Sequence, residues 1–266
     1  MILDELLAAS RARVAASQAL EPLEALRERI DSDAPPAPPS FSEALRAPGV
    51  SLIAEVKRAS PSRGTLNDTL DPGEQALRYA QAGADAISVL TEPSRFRGSL
   101  ADLKAARDAL ESAGLARPLL RKDFVVDVYQ VLEARLAGAA AVLLIAAALE
   151  PAGLAKLYKE ALAAGLTPLV EVHNRADVEK IRSLRPAVIG INNRDLRTFQ
   201  VDIETTFYLR PTLPSGTLVV AESGIHSPEQ VRRLAALGVD GILVGEALVT
   251  AADVEGLVRA LKEAGQ

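Results

Sequence analysis

The chain has 266 residues, of which 48% are hydrophobic and 24% charged, a composition typical of a globular protein with a large core. Its formal net charge of -5 argues against partners such as nucleic acid or an anionic membrane surface. Cysteine is absent, which excludes disulfides and thiolate chemistry, and the two histidines, His173 and His226, are too few for a multi-histidine metal site.

The first 48 residues predict a helical extension ahead of the main domain. Apolar residues there recur at helical spacing, as in Leu3, Leu6 and Leu7. The proline-rich stretch DSDAPPAPPSF (31–41) predicts a connector that cannot continue a helix. The N-terminus carries acidic residues early and has no long apolar run, so we expect no signal peptide, and the lack of cysteine fits a cytoplasmic protein.

From residue 49 to residue 266, short apolar runs alternate with amphipathic segments. The predicted strands are SLIAEV (51–56), AISVLT (86–91), PLLRKD (118–123), AVLLIA (141–146), TPLVEV (167–172), AVIGIN (187–192), TLVVAE (217–222) and GILVG (241–245). The predicted helix starts are Asp71, Ser99, Asp127 and Ser227, and the predicted stops are Gly83, Gly114, Gly138, Gly165 and Gly238. Eight such units favour a closed (β/α)8 barrel over an open doubly wound sheet. No G-x-G-x-x-G follows the first strand, which disfavours a dinucleotide-binding fold.

Polar residues cluster where the predicted strands end. They are Glu55, Lys57, Thr91, Glu92, Lys122, Asp123, Glu171, Asn192, Asn193, Arg194, Glu222, Ser223, Gly224, Gly245 and Glu246. In a barrel these positions form one ring at the carboxyl end of the strands, the face that carries barrel active sites. A single charged residue at the end of a strand often belongs to a structural ion pair. Burying so many charges at one face is costly unless they have a function. Converging lysines and glutamates shift each other's pKa values and can hold acid and base together at neutral pH, although spacing alone does not assign the roles.

Two glycine-containing turns predict an anion site. ESGI follows the seventh predicted strand and VGEAL the eighth, which places Gly224 and Gly245 in tight loops. Backbone N–H groups in such loops bind phosphate in many barrels. The alternative is that these glycines serve only to turn the chain.

Several motifs together resemble one family. IAEVKRASPSRG, SVLTEPSRFRGSL, LLRKDFVVDVYQV, AVLLIAAAL, LVEVH, IGINNRDL, VVAESGI and ILVGEAL, in this order, resemble indole-3-glycerol phosphate synthase of tryptophan biosynthesis. The resemblance covers the barrel and the extension. It implies a carboxy-lyase that closes an indole ring on a small phosphosugar substrate, 1-(2-carboxyphenylamino)-1-deoxyribulose 5-phosphate, with loss of carbon dioxide and water and with no cofactor or metal.

The resemblance also implies roles for the catalytic residues. Lys122 would be the general acid of ring closure. Lys57 would pair with the carboxylate that is lost and share in proton transfer. Glu171 and Glu55 would be the candidates for base and acid in the dehydration. The polar residues implied to orient the substrate and hold its hydroxyls are Asn192, Glu222 and Ser223.

The remaining implied residues bind the substrate. Ser60, Gly224, Gly245 and Glu246 would bind the phosphate, with Glu246 acting through its backbone N–H, and Arg194 would order the site. The aromatic ring would lie against an apolar wall formed by Pro61, Phe96, Phe124, Leu143 and Leu196. The SPSRG loop would close over the substrate, with Gly64 giving it freedom to move.

Two alternatives are weighed against this family. Phosphoribosylanthranilate isomerase, a phosphosugar barrel of the same pathway, would use a Cys–Asp pair, and this chain has no cysteine. A non-catalytic phosphosugar-binding barrel would have lost its acids and bases, and Lys122, Glu171 and Glu55 are present. We expect His173 to be a hydrogen-bonded loop residue near the site and His226 an exposed residue before a helix.

Overall fold

Eight parallel strands form a closed barrel in a computed structural model that describes residues 2–266, confirming the predicted fold class. The strands are β1 (Ser51–Val56), β2 (Ala86–Leu90), β3 (Leu119–Lys122), β4 (Ala141–Ile145), β5 (Thr167–Val172), β6 (Val188–Asn192), β7 (Leu218–Glu222) and β8 (Gly241–Val244). Each strand pairs with the next along the chain, and β8 closes on β1 in the register Ser51 to Gly241. The observed strands differ from the predicted ones by at most one residue at either end.

Alternation along the strands explains why the charged residues converge. In β1, Leu52 and Ala54 belong to the apolar layer between strands and helices, while Ile53 belongs to the cluster inside the barrel. Because side chains two apart share a face of a strand, Glu55 follows Ile53 into the barrel mouth. Lys122, Glu171 and Glu222 likewise follow the interior residues Leu120, Leu169 and Val220 by two positions.

Helices surround the barrel and carry the predicted caps. They are α1 (Ile2–Leu20), α2 (Leu23–Asp33), α3 (Phe41–Leu45), α4 (Pro72–Ala82), α5 (Leu100–Ser112), α6 (Val128–Leu136), α7 (Pro151–Ala163), α8 (Arg175–Ile181), α9 (Glu204–Leu209), α10 (Pro228–Ala236), α11 (Glu246–Val249) and α12 (Val254–Ala264). The four predicted N-cap side chains each accept a backbone hydrogen bond, and the five predicted stop glycines all have positive φ. None of the helices within residues 2–266 is long and apolar enough to cross a membrane.

The predicted bounds of the proline-rich connector, 31–41, are wrong at both ends. Helix α2 continues to Asp33, and α3 begins at Phe41 with Ser40 as its N-cap. The helix stops at Ala34 because this residue precedes Pro35 and takes an extended conformation, as residues before proline prefer. The non-helical connector is therefore 34–40.

The N-terminal helices contact both ends of the barrel. Ile2, Leu3 and Leu6 of α1 lie at the carboxyl end of the strands, where they line the main cleft. At the amino end, Ser51 Oγ donates to the Ala44 carbonyl oxygen at 2.7 Å, and Leu45 is buried against the first residue of β8. The chain therefore passes from the carboxyl end of the barrel to its amino end within the first 45 residues.

Candidate active site

One cleft at the carboxyl end of the strands collects every residue to which the resemblance assigns a catalytic or binding role, while Thr91, Glu92 and Asn193 of the predicted polar ring do not line it. The predicted residues that line it are Glu55, Lys57, Ser60, Pro61, Phe96, Lys122, Phe124, Leu143, Glu171, Asn192, Arg194, Leu196, Glu222, Ser223, Gly224, Gly245 and Glu246. The cleft is also lined by apolar residues that were not predicted, namely Ile2, Leu3, Leu6, Leu90, Ile145, Phe199, Ile225, Leu243, Val244 and Ala247. The α1 residues carry only a helical pattern in the sequence, which does not reveal the face that meets the cleft.

Lys122 lies between two buried carboxyl groups. Its Nζ is 3.3 Å from Glu171 Oε2 and 3.4 Å from Glu222 Oε2, and both glutamate side chains are only 1% exposed. Gly190 of β6 makes this arrangement possible, since a Cβ there would lie 2.1 Å from Glu222 Oε1. The requirement for glycine at this position is steric and was not predicted from the sequence.

The side chains of Lys122, Glu171 and Glu222 have pKa values shifted in different directions. Burial alone would lower the pKa of Lys122, but the charges of Glu171, Glu222 and Glu55 raise it above its usual value. Burial opposes ionisation of Glu171, yet Lys122 and His173 hold the pKa of this carboxyl well below its usual range. For Glu222, burial and the nearby Glu171 charge outweigh Lys122 and raise the pKa. The site therefore combines an ammonium, a carboxylate and a carboxyl group that retains its proton more readily.

Glu55 and Lys57 form a second charged pair in the cleft. Lys57 Nζ is 2.7 Å from Glu55 Oε1, which confirms that the two side chains point to the same side. Gly245 leaves room for the pair, because a Cβ at this position would lie 2.3 Å from Glu55 Oε1 and 2.9 Å from Lys57 Nζ. This steric reason for Gly245 is separate from the phosphate contact predicted for it.

His173 lies beside Glu171 and does not line the cleft. Its Nε2 is 3.2 Å from Glu171 Oε1, its Nδ1 is 3.6 Å from Asp177 Oδ2, and its side chain is 8% exposed. Burial would lower the pKa of His173, but the carboxylates of Asp177 and Glu171 raise it to about 9. His226 is exposed, as predicted, and lies at the rim of the cleft.

Asn193 fixes the ends of β6 and β7. Its Nδ2 donates to the Ser223 carbonyl oxygen at 3.0 Å, and its Oδ1 accepts from Thr206 Oγ1 at 2.7 Å. Ser223 and Gly224 both have positive φ, a conformation that is strained for serine. The neighbouring Asn192 accepts a bond from the Arg194 backbone N–H through its side-chain oxygen. These bonds hold the polar ends of β6 and β7 at the cleft.

The loop after β1 is tied to the opposite side of the cleft. It forms a short antiparallel hairpin, Ala59–Ser60 with Gly64–Thr65, which was not predicted. Arg63 Nε lies 2.8 Å from Glu246 Oε1, and Arg194 lies 3.6 Å from Glu246 Oε2. The side chain of Glu246 therefore joins this loop to Arg194 on the other side of the cleft, a contact that was not predicted.

Apolar groups line the opposite part of the cleft. The Phe96 and Phe124 ring centroids are 6.2 Å apart. Glu92, which is buried, accepts bonds from the backbone N–H groups of Ser94, Arg95 and Phe96, and so fixes the loop that carries Phe96. Over residues 2–266, no cluster of three or more His, Asp or Glu side chains is arranged to hold a metal ion.

Fold and site together define a (β/α)8-barrel enzyme whose cleft combines paired lysines and glutamates with an apolar wall. A sequence model of the indole-3-glycerol phosphate synthase family matches residues 3–261. Curated relatives named indole-3-glycerol phosphate synthase include one from Parafrankia sp. (strain EAN1pec), 46% identical over 99% of this chain and 96% of the relative. One from Mycobacteroides abscessus is 45% identical over 99% of this chain and 94% of the relative. The chain belongs to the indole-3-glycerol phosphate synthase family, and its reaction is that of a carboxy-lyase of tryptophan biosynthesis acting on a small phosphorylated substrate.

Solved structures agree on the fold. The tryptophan synthase alpha chain from Legionella pneumophila has a TM-score of 0.61 at 15% identity, covering 84% of this chain and 95% of that one. The 3-hexulose-6-phosphate synthase from Salmonella typhimurium has a TM-score of 0.63 at 16% identity, covering 81% of this chain and 98% of that one. Identities this low support the barrel fold and nothing further.

Proposed function

We propose that Lys122, Glu171, Glu222, Glu55 and Lys57 together convert 1-(2-carboxyphenylamino)-1-deoxyribulose 5-phosphate to indole-3-glycerol phosphate. The observation that carries this proposal is the buried contact of Lys122 Nζ with both Glu171 and Glu222, at 3.3 and 3.4 Å, in a cleft that also contains Lys57. An ammonium fixed between carboxyl groups can deliver a proton to a ketone oxygen and leave its neighbours able to continue the proton transfers.

Ring closure is the step assigned to Lys122. The aromatic carbon that bears the carboxylate attacks the ketone carbon, and the carbonyl oxygen takes a proton from Lys122 as it becomes a hydroxyl. The raised pKa ensures that this proton is present at neutral pH. The oxygen becomes basic enough to accept it only as the new carbon–carbon bond forms. Lys57, in its pair with Glu55, would hold the substrate carboxylate beside the reacting carbon.

Decarboxylation and dehydration follow. The carbon–carboxylate bond breaks, carbon dioxide leaves, and its electron pair remains in the ring system. In the dehydration, a base removes the proton from the carbon next to the nitrogen, and the hydroxyl leaves with a proton as water. Loss of the Lys122 proton removes the positive charge that keeps the pKa of Glu171 low, so Glu171 becomes a stronger base for this step. Glu55 is the proposed acid.

The remaining residues of the cleft would bind the substrate. Ser60 and the backbone N–H groups at Gly224, Gly245 and Glu246 would hold the phosphate, and Arg194 would order the loop beside it. Asn192, Glu222 and Ser223 would orient the hydroxyls. The aromatic ring would lie against Pro61, Phe96, Phe124, Leu143 and Leu196, all of which line the cleft.

The domain bounds, the cellular compartment and the absence of nucleic-acid partners are also proposed. Residues 1–48 would form a helical extension packed on the catalytic barrel of residues 49–266. The absence of cysteine supports an enzyme of the reducing cytoplasm, and the net charge of -5 supports one without nucleic-acid or membrane partners.

Product fluorescence tests the function directly. The chain contains no Trp, so its own emission is weak while the product carries an indole. The purified protein is mixed with the substrate in the presence of a chelator, and indole fluorescence is followed. We expect it to grow, and we expect Lys122→Ala to reduce the rate by about 10²- to 10⁴-fold with substrate still bound. Lys104→Ala, at an exposed position, is the matched control. A flat trace with tight binding would indicate the non-catalytic barrel, and activity of Lys122→Ala within a few fold of the parent would exclude its role as general acid.

A further inference from the structure

Asp123, the residue after Lys122, is held by a buried network that reaches outside the barrel. Its side chain is 0% exposed. Its oxygens accept from Thr91 Oγ1 at 2.8 Å, from the Phe124 backbone N–H at 2.8 Å and from Arg121 Nη2 at 3.1 Å. The fourth donor is Arg13 Nη2 at 2.8 Å, which comes from α1, 110 residues away in the sequence.

Arg13 is itself held in position. The same nitrogen donates to the fully buried Ser10 Oγ at 2.8 Å, and Nη1 lies 3.4 Å from the Thr91 carbonyl oxygen. Thr91 in turn donates its backbone N–H to the Lys122 carbonyl oxygen at 3.0 Å. The guanidinium therefore contacts both the side chain of Asp123 and the end of the strand that pairs with Lys122.

The position of Asp123 links this network to the site. It lies between Lys122, whose ammonium contacts Glu171 and Glu222, and Phe124, whose ring lies 6.2 Å from that of Phe96. Fixing Asp123 fixes the backbone from which both side chains project into the cleft. Burial opposes the charge of Asp123, but Arg121 and Arg13 keep the pKa of its carboxyl below the usual range, so the charge-assisted bonds persist at neutral pH.

We propose that Arg13 is a positioning residue for the reaction: through Asp123 it holds Lys122 and Phe124 in their working positions. This inference rests on the proposed function for its effect on rate, but the network itself is independent of it. Helix α1, which lines the cleft, thereby helps to hold the proposed general acid Lys122 in position.

The variant Arg13→Met keeps the apolar stem and removes the guanidinium. Asp123 retains Arg121, Thr91 and the Phe124 N–H, so the carboxylate is not left without a partner and the variant is expected to fold. Arg11→Met, at an exposed position on the same helix, is the matched control. Arg13→Lys, which keeps a positive charge, is the conservative variant.

The first readout is the split between kcat and KM, measured well below the melting temperature. Misplacement of a catalytic group by a fraction of an ångström to 1 Å costs about 10- to 100-fold in rate. We expect Arg13→Met to lower kcat by about tenfold or more with KM within twofold, Arg13→Lys to recover part of the loss, and Arg11→Met to match the parent. A kcat equal to that of Arg11→Met, or a rise in KM with kcat retained, would overturn the proposal.

The second readout does not depend on activity. Amide hydrogen exchange at Thr91 and Phe124 should be faster in Arg13→Met than in the parent by about tenfold, while exchange in β5, on the far side of Lys122, is unchanged. Unchanged exchange at both residues would overturn the proposal. An inactive parent with accelerated exchange would refute the proposed function and leave the positioning network supported.

Discussion

Replacing Gly190 with alanine tests how closely Glu222 must be placed beside Lys122. The new Cβ would lie 2.1 Å from Glu222 Oε1 and 3.2 Å from Glu222 Cδ, and its next neighbour, Leu169 Cδ1, would lie at 3.4 Å, an ordinary van der Waals distance. The carboxyl oxygen must therefore retreat by about 1.3 Å to reach that distance. Such a movement is large beside the 3.4 Å separation of Glu222 Oε2 from Lys122 Nζ.

The displacement should affect rate more than stability. Moving a catalytic group by about 1 Å can cost on the order of 10²-fold, so we expect kcat for indole formation to fall by about that factor. Overpacking a buried position costs about 1–3 kcal/mol. For a domain of this size each kcal/mol lowers the melting temperature by roughly 2–4 °C, so the variant remains folded at assay temperature.

Gly153→Ala is the matched control, since a Cβ at this position in α7 has no neighbour within 4 Å. Alanine is more stable than glycine in a helix by about 0.5–1 kcal/mol, so this variant should melt slightly higher with unchanged activity. The assays are indole fluorescence and thermal unfolding. If the kcat of Gly190→Ala is within threefold of the kcat of Gly153→Ala, the placement of Glu222 beside Lys122 is not important for the reaction.

Three further predictions concern single groups of the site. Glu171→Gln should release carbon dioxide but form little indole, because the base of the dehydration is lost; equal yields of both products would place the base elsewhere. Ser60→Ala should raise KM and the inhibition constant of inorganic phosphate by about tenfold or more with kcat little changed, since a hydrogen bond to a charged group contributes about 1.5–3 kcal/mol. Unchanged inhibition by phosphate would remove Ser60 from the phosphate site. The pKa of His173 is raised from 6.5 to about 9, so its stabilising effect is complete below pH 6.5 and is lost as the pH rises through 9. The free energy of unfolding in urea should therefore decline between pH 6 and pH 10, and the decline should be smaller in His173→Gln than in the parent by on the order of 3 kcal/mol. Equal declines in the two proteins would contradict this coupling.

The sequence alone determined the barrel and most of the cleft. The periodicity of strands and helices is a local property of the sequence. Spacing alone therefore predicted the bounds of the eight strands to within one residue and also predicted the capping residues. The same alternation placed Glu55, Lys122, Glu171 and Glu222 on the inner face, because each follows an interior apolar residue by two positions. Residue roles came from the resemblance of the motifs to a family and not from spacing.

The tertiary structure decided what depends on residues far apart in the chain. Which glutamate retains its proton follows from burial and from distances across β3, β5 and β7. The steric need for Gly190 arises only when β7 lies beside β6 and brings Glu222 against it. The contact of Arg13 with Asp123 joins residues 110 positions apart. No local pattern encodes such contacts, because they form only when the barrel closes and the N-terminal helix is placed over its carboxyl end.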